Sequence, residues 1–243
     1  MEELTSGIGF CLDVGDEGPP GGCVQALNDL CDQAEAKPGV AVVVLRIGGD
    51  KPRTGAWPGT AGTHDMNRWE RAVRRLERLS AVSVAVARGT SCGPALDLLL
   101  AADYRIATAD LRIVLPVNNG QFWPGMVMHR LVHQVGGAHA RQLVLWGHDI
   151  PGKRALELGL VDEITTDVDQ AVSAAAVMLG REAGHDKAMR RQLLLEASHT
   201  SFEEALGVHL AACDRELRRL AAAAPSLDEM ADASDGASAQ EVR

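Results

Sequence analysis

Residues 81–107, AVSVAVARGTSCGPALDLLLAADYRIA, constrain the fold of this chain more than any other stretch. A Val-rich apolar run from Ala81 to Ala87 stops at Arg88-Gly89 and passes through Thr90-Ser91-Cys92-Gly93-Pro94. An Ala/Leu-rich block from Ala95 to Ala102 follows, closed by Asp103-Tyr104-Arg105. The first run reads as a buried strand and the second as a buried helix, because glycine and proline punctuate them and β-branched residues fill only the first. A further strand starts at Tyr104-Arg105-Ile106. Pro94 suits the first helical position, where its missing N–H is no loss to the helix. Such a turn gathers the free N–H groups of a helix start at one point, an arrangement that holds developing negative charge.

The flanks repeat the alternation. Residues 7–14 read as a strand, Val24–Ala36 as a helix, and Val40–Ile47 as a buried strand ending at Gly48-Gly49. Residues 50–65, with three glycines and two prolines, read as an exposed loop. MNRWERAVRRLERL then places Trp69, Val73, Leu76 and Leu79 on one helical face, with arginines opposite. Strand and helix in turn imply an α/β protein with crossover connections. Beyond Leu111–Leu115 lies the turn-rich PVNNGQFWPG, then two helices separated near Gly136-Gly137. A short helix over 152–158 follows, with Gly159 as its stop and a strand over 160–164. Residues 168–180 and 202–222 read as helices, and the polar tail from Pro225 as disordered.

Composition narrows the function classes. A formal charge of −9 with no basic patch argues against nucleic acid. No apolar run reaches membrane-spanning length, and the first ten residues lack a basic segment followed by an apolar one. Five cysteines, odd in number and without metal spacing, fit free thiols and a cytoplasmic protein.

Four stretches taken together resemble the crotonase (enoyl-CoA hydratase/isomerase) superfamily. They are AVARGTSCGPALDLLLAADYRIAT, PVNNGQFWPG, RLVHQVGGAHARQLVLWGHDI and RALELGLVDEI, in the family's order. In the second, Pro116 and Pro124 keep the family's eight-residue spacing. The resemblance implies an α/β crotonase-like ββα spiral with C-terminal helices. The spiral core is expected over residues 1–165, an oligomerising helical region over 166–224, and the tail over 225–243. It further implies an acyl-CoA thioester as substrate, no cofactor, and a homotrimer or a hexamer of trimers. WERAVRRLERLSAVSVAVA, Asp97 and WPGM are similar to the enoyl-CoA hydratase-like proteins of 3,5-dihydroxyphenylglycine biosynthesis, an antibiotic pathway. That likeness implies a type III polyketide synthase and other crotonase-like proteins as partners.

Family members hold a thioester enolate with two backbone N–H groups and move protons with two glutamates. Matching without gaps puts the first donor at Pro94, which has no N–H, between Gly93 and Ala95; Ala95 is the nearest helix-start donor. Thr63 or His64, in the string TAGTHD, is the candidate for the second. The helix glutamate corresponds to Asp97 and the loop glutamate to Val117, twenty residues on. Valine transfers no proton, so a two-glutamate mechanism is not expected, and Asp97 stands beside a polar loop carrying Asn118, Asn119 and Gln121. Asp97 is then either a lone general acid/base or a helix residue that faces solvent or pairs with an arginine. The asparagines suit turn positions. His129 and His133 lie four apart on a helix but lack a third ligand, so no metal is expected. Cys92 reads as a small buried filler rather than a nucleophile.

Two functions from different classes fit. One is an enoyl-CoA hydratase-like dehydratase with a degenerate active site, assisting formation of 3,5-dihydroxyphenylacetyl-CoA from a malonyl-CoA-derived polyketide thioester. The other is a non-catalytic crotonase-fold partner that stimulates the synthase or another crotonase.

Overall fold

A computed structural model of the chain describes residues 2–3, 9–14, 20–37, 40–49, 57, 61–115, 117–118, 121–123, 125–146, 149–180, 185–197 and 200–223. The expected tail, Asn119, and all of the 50–60 loop except Trp57 lie outside the described residues. Contacts divide the chain into two compact units, Met1–Arg191 and Gln192–Arg243.

The first unit opens with β1 (Glu2–Glu3), β2 (Gly9–Val14), α1 (Pro20–Ala36), β3 (Val42–Gly49) and α2 (Thr63–Glu77). The central stretch forms β4 (Val82–Ser91), α3 (Pro94–Ala101) and β5 (Tyr104–Thr108). Three short strands follow, β6 (Arg112–Ile113), β7 (Val117–Asn118) and β8 (Gln121–Phe122), then α4 (Val127–Trp146). The unit continues through β9 (Ile150–Pro151), α5 (Gly152–Glu157), β10 (Glu163–Thr165) and α6 (Val168–Gly180) into α7 (His185–Ala197), which runs past the division at Arg191.

Strands β2, β3, β4, β5 and β10 pair in that order, all parallel, with β1 antiparallel at one edge. A parallel sheet needs cover on both faces, and the near-continuous Val/Ala/Leu runs of β3 and β4 supply apolar side chains to both. Val43, Leu45, Ile47, Ala85 and Ala87 enter the core that holds α1, α2 and α3. Their neighbours Val42, Val44, Val84 and Val86 join Ala171, Val172 and Ala175 of α6 on the opposite face. The period of two along each strand therefore divides the core into two layers.

Several boundaries differ from the sequence reading. Strand β4 does not stop at Arg88-Gly89 but runs to Ser91, because Gly49 of β3 pairs with both Gly89 and Thr90 at a bulge. Gly48, at φ 85°, allows the close approach: a Cβ there would collide with the Arg88 carbonyl. The last strand begins at Glu163 rather than Leu160, since Leu160 and Val161 are buried in the turn after α5. Within α4, Gly136 has non-helical φ 74° and ψ 160°, the break expected between two helices.

Helix α7 was not anticipated, because its apolar residues follow no clean period. Arg191 anchors it within the first unit, donating to Asp103 at 2.7 Å and to the carbonyls of Glu77, Leu79 and Ala81. A guanidinium on the carbonyls that close α2 also suits the negative end of that helix. In the second unit, α8 (Phe202–Ala223) starts with Ser201 and Glu204 capping one another. Phe202, Leu210, Leu217 and Leu220 of this helix are exposed.

Candidate active site

The turn between β4 and α3 is built around Gly93, whose φ of 56° and ψ of −125° place it outside the ordinary range of L residues. Pro94 occupies the first turn of α3, as its fixed φ favours. The first hydrogen bond of the helix runs from the Asp97 N–H to the Gly93 carbonyl at 3.0 Å. The N–H groups of Ala95 and Leu96 precede that bond, and Pro94 contributes none. Trp57 covers the turn: a Cβ on Gly93 would stand 3.0 Å from its Cγ. Its ring meets Trp69 edge-on, with centroids 5.9 Å apart. The expectation of an exposed 50–65 loop is corrected at this residue, since Trp57 is 5% exposed. A large indole on that loop gains more from burial against the turn than from water.

Asp97 projects from α3 into the space between α2 and α4, and is 3% exposed. Trp69 Nε1 donates to its Oδ2 at 2.9 Å, and Arg130 Nη1 lies 3.3 Å from its Oδ1. Arg130 also reaches Glu70 Oε2 at 2.8 Å and Glu77 Oε1 at 3.1 Å. Arg74 closes the cluster from the rim, at 2.9 Å from Glu77 Oε2. Burial pushes the Asp97 carboxyl up to about 7, and the Glu70 charge pushes the same way, against the opposing pull of Arg130 and Trp69. Burial works against the charge on Arg130, yet Asp97, Glu70 and Glu77 together raise its pKa. A carboxyl that changes protonation near neutral pH can take a proton and return it within one reaction.

Asp97 is thus buried and paired with an arginine, and it does not face solvent. Gly93, Pro94 and Ala95 form the turn and the start of α3. Thr63 is exposed at the first position of α2, where its N–H precedes the helix's first bonds, which run from Asp65 and Met66 to Gly62. His64 beside it is likewise exposed. Val117 and Asn118 pair with Phe122 and Gln121 as β7 and β8, which places Asn118 in a strand, while Asn119 lies outside the described residues. Cys92 is half-buried rather than enclosed. His129 and His133 are exposed with Nε2 atoms 3.2 Å apart, and no group of three metal-binding side chains occurs among the described residues. All five cysteines are free of disulfides.

Glu70, Glu77 and Arg130 escaped the sequence reading, and Trp69 was read there as packing rather than as a partner of Asp97. Trp69 and Glu77 lie on the buried face of α2, but the apolar stripe there reads as packing alone. Arg130 gave one signal, an arginine between Val127 and Leu131 on the face of α4 that turns inward.

The parallel sheet, its covering helices and the glycine turn opening onto a buried helix define an α/β protein of the crotonase type. The model of the enoyl-CoA hydratase/isomerase family matches residues 23–223, and the chain belongs to that family. A protein of Amycolatopsis orientalis described as an enoyl-CoA-hydratase is 44% identical over 196 residues, covering 81% of this chain and 89% of that protein. Among solved structures, an enoyl-CoA hydratase/isomerase family protein from Silicibacter pomeroyi superposes with a TM-score of 0.73 at 19% identity, covering 86% of this chain and 95% of that one. An enoyl-CoA hydratase from Shewanella pealeana gives 0.70 at 18% identity, covering 80% and 77%. These two likenesses speak for the fold. No helix among the described residues is long and apolar enough to cross a membrane.

Proposed function

We propose that this protein is an enoyl-CoA hydratase-like dehydratase that assists formation of 3,5-dihydroxyphenylacetyl-CoA from a malonyl-CoA-derived polyketide thioester. One observation carries the reading: the family's helix position after the glycine turn keeps a carboxyl, Asp97, which environment raises to about 7. In its ionised form Asp97 takes a proton from the carbon next to the thioester carbonyl. The resulting enolate oxygen accepts from the N–H groups at the start of α3, where Ala95 replaces the absent donor of Pro94. The Asp97 carboxyl then returns its proton to the departing β-hydroxyl, so that water leaves and a carbon–carbon double bond forms. One carboxyl suffices because the proton taken equals the proton given. Aromatisation of the ring makes the elimination favourable, so modest catalysis serves.

The substrate is an acyl-CoA thioester, no cofactor is needed, and the setting is cytoplasmic. The exposed apolar residues of α8 fit assembly into a homotrimer or hexamer; a monomeric mass by light scattering contradicts that part.

A second reading is favoured by the enclosure of Asp97 between Trp69 and Arg130 and by Pro94 at the donor position. In it the chain is a catalytically degenerate partner that binds and stimulates a type III polyketide synthase or another crotonase. The test is reconstitution of the cognate synthase with malonyl-CoA, following 3,5-dihydroxyphenylacetyl-CoA with and without this protein. A rise on addition is expected. No rise contradicts both readings, and a rise that Asp97→Asn reproduces in full favours the second.

A further inference from the structure

The family's second carboxylate has no counterpart at Val117, yet a second carboxylate does face Asp97. It comes from α2. Glu70 follows Trp69 directly, and its Oε2 accepts from Nη2 of the same guanidinium whose Nη1 reaches Asp97. Arginine's donors lie in a rigid plane, so two carboxylates on neighbouring ends of one guanidinium are held at a fixed mutual position. We propose that Glu70 is the electrostatic partner of Asp97: the two divide the guanidinium of Arg130 between them, and the Glu70 charge governs when Asp97 holds its proton.

The charge count of the cluster supports that role. Three carboxyls (Glu70, Glu77 and Asp97) meet two guanidiniums, Arg130 within and Arg74 at the rim. The carboxyls outnumber the guanidiniums, so an ionised Asp97 meets negative charge that Arg130 alone does not offset. Glu77 has its two oxygens bonded to Arg130 and Arg74 respectively. Asp97 and Glu70 remain, with side-chain exposures of 4% and 24%. The strands β3 and β4, which also pack on α3, contribute Val43, Leu45, Ile47, Ala85 and Ala87 to the same core, none of them ionisable. Asp97 is the more deeply buried of the two, so desolvation penalises its charge most. Glu70 acts through Asp97 and is a positioning residue, and the inference rests on Asp97 being the group that handles the substrate's proton.

Trp69 provides a readout that needs no substrate, because its Nε1–H is bonded to the Asp97 carboxyl. Its indole cross-peak in ¹H–¹⁵N spectra, assigned by its loss in Trp69→Phe, is followed from pH 5 to 9. In the native protein the peak titrates near neutrality. In Glu70→Gln the negative charge is gone and Arg130 is freer to pair with Asp97, so the midpoint falls by about one pH unit. Glu70→Asp, which keeps the charge, leaves it nearer the native value. An unchanged midpoint in a folded Glu70→Gln protein overturns the proposal, as does a native Trp69 peak that does not titrate. A shifted midpoint in a protein that yields no product in the reconstituted system leaves the coupling standing and removes the dehydratase reading. Conversely, activity lost in Asp97→Asn with a midpoint indifferent to Glu70 removes the coupling alone.

Discussion

Trp69 on α2 donates its indole N–H to the carboxylate of Asp97 on α3 across 2.9 Å, although the two are 28 residues apart in the chain. Trp69 is fully buried, so the bond forms where water does not compete. Trp69→Phe keeps the ring and removes the donor. Loss of a hydrogen bond to a buried charged group is expected to cost about 1–3 kcal/mol of stability, read by chemical denaturation. It also raises the Asp97 pKa further, since that bond favours the ionised form. A variant as stable as the native protein contradicts the bond's importance.

The raised pKa of Asp97 fixes the sign of a stability change with pH. The folded value of about 7 lies above the ordinary 3.8, so the folded state binds the proton more tightly than the unfolded chain between those values. The contribution of Asp97 to stability is therefore fully present below the ordinary value and is lost as pH rises through about 7. Asp97→Asn removes this dependence. The difference in unfolding free energy between variant and native protein should move in favour of the variant from pH 4 to pH 7 and then level off. A constant difference across that range contradicts the assignment.

Arg130 carries the charge balance of three carboxylates while only 9% exposed. Arg130→Met leaves those carboxylates uncompensated, and a loss of about 3–5 kcal/mol is expected. Arg74→Met removes a guanidinium whose side chain is 40% exposed, so a loss within about 1 kcal/mol is expected. Similar losses for the two variants contradict the central place given to Arg130.

Gly93 combines a positive φ with a neighbour against its α-carbon. Gly93→Ala faces both strain and contact with Trp57 at 3.0 Å, and a destabilisation of about 1–3 kcal/mol is expected. Thermal unfolding of the variant checks this, and an unchanged midpoint contradicts the described turn.

The strand–turn–helix of residues 81–107 was legible because glycine, proline and β-branched residues each mark a distinct backbone state there. Helix α6 was placed at its observed bounds, 168–180. Asp97 was found through the family pattern, yet its surroundings were not, because Trp69, Glu70 and Arg130 lie 27 to 33 residues away in the chain and meet it through packing. Nothing local distinguishes a glutamate such as Glu70, on a helix rich in charge, from an ordinary surface residue. Trp57 shows the same limit from the other side: its glycine-rich context marks a loop, while its burial depends on the turn it covers.

The central claim is that the Asp97 carboxyl does the chemistry. Its most direct test is 3,5-dihydroxyphenylacetyl-CoA formation by the cognate synthase and malonyl-CoA, with the native protein set against Asp97→Asn of matched secondary structure and unfolding midpoint. A rise with the native protein that the variant loses is the predicted result. Equal stimulation by both would contradict catalysis by Asp97 and leave a binding partner in its place.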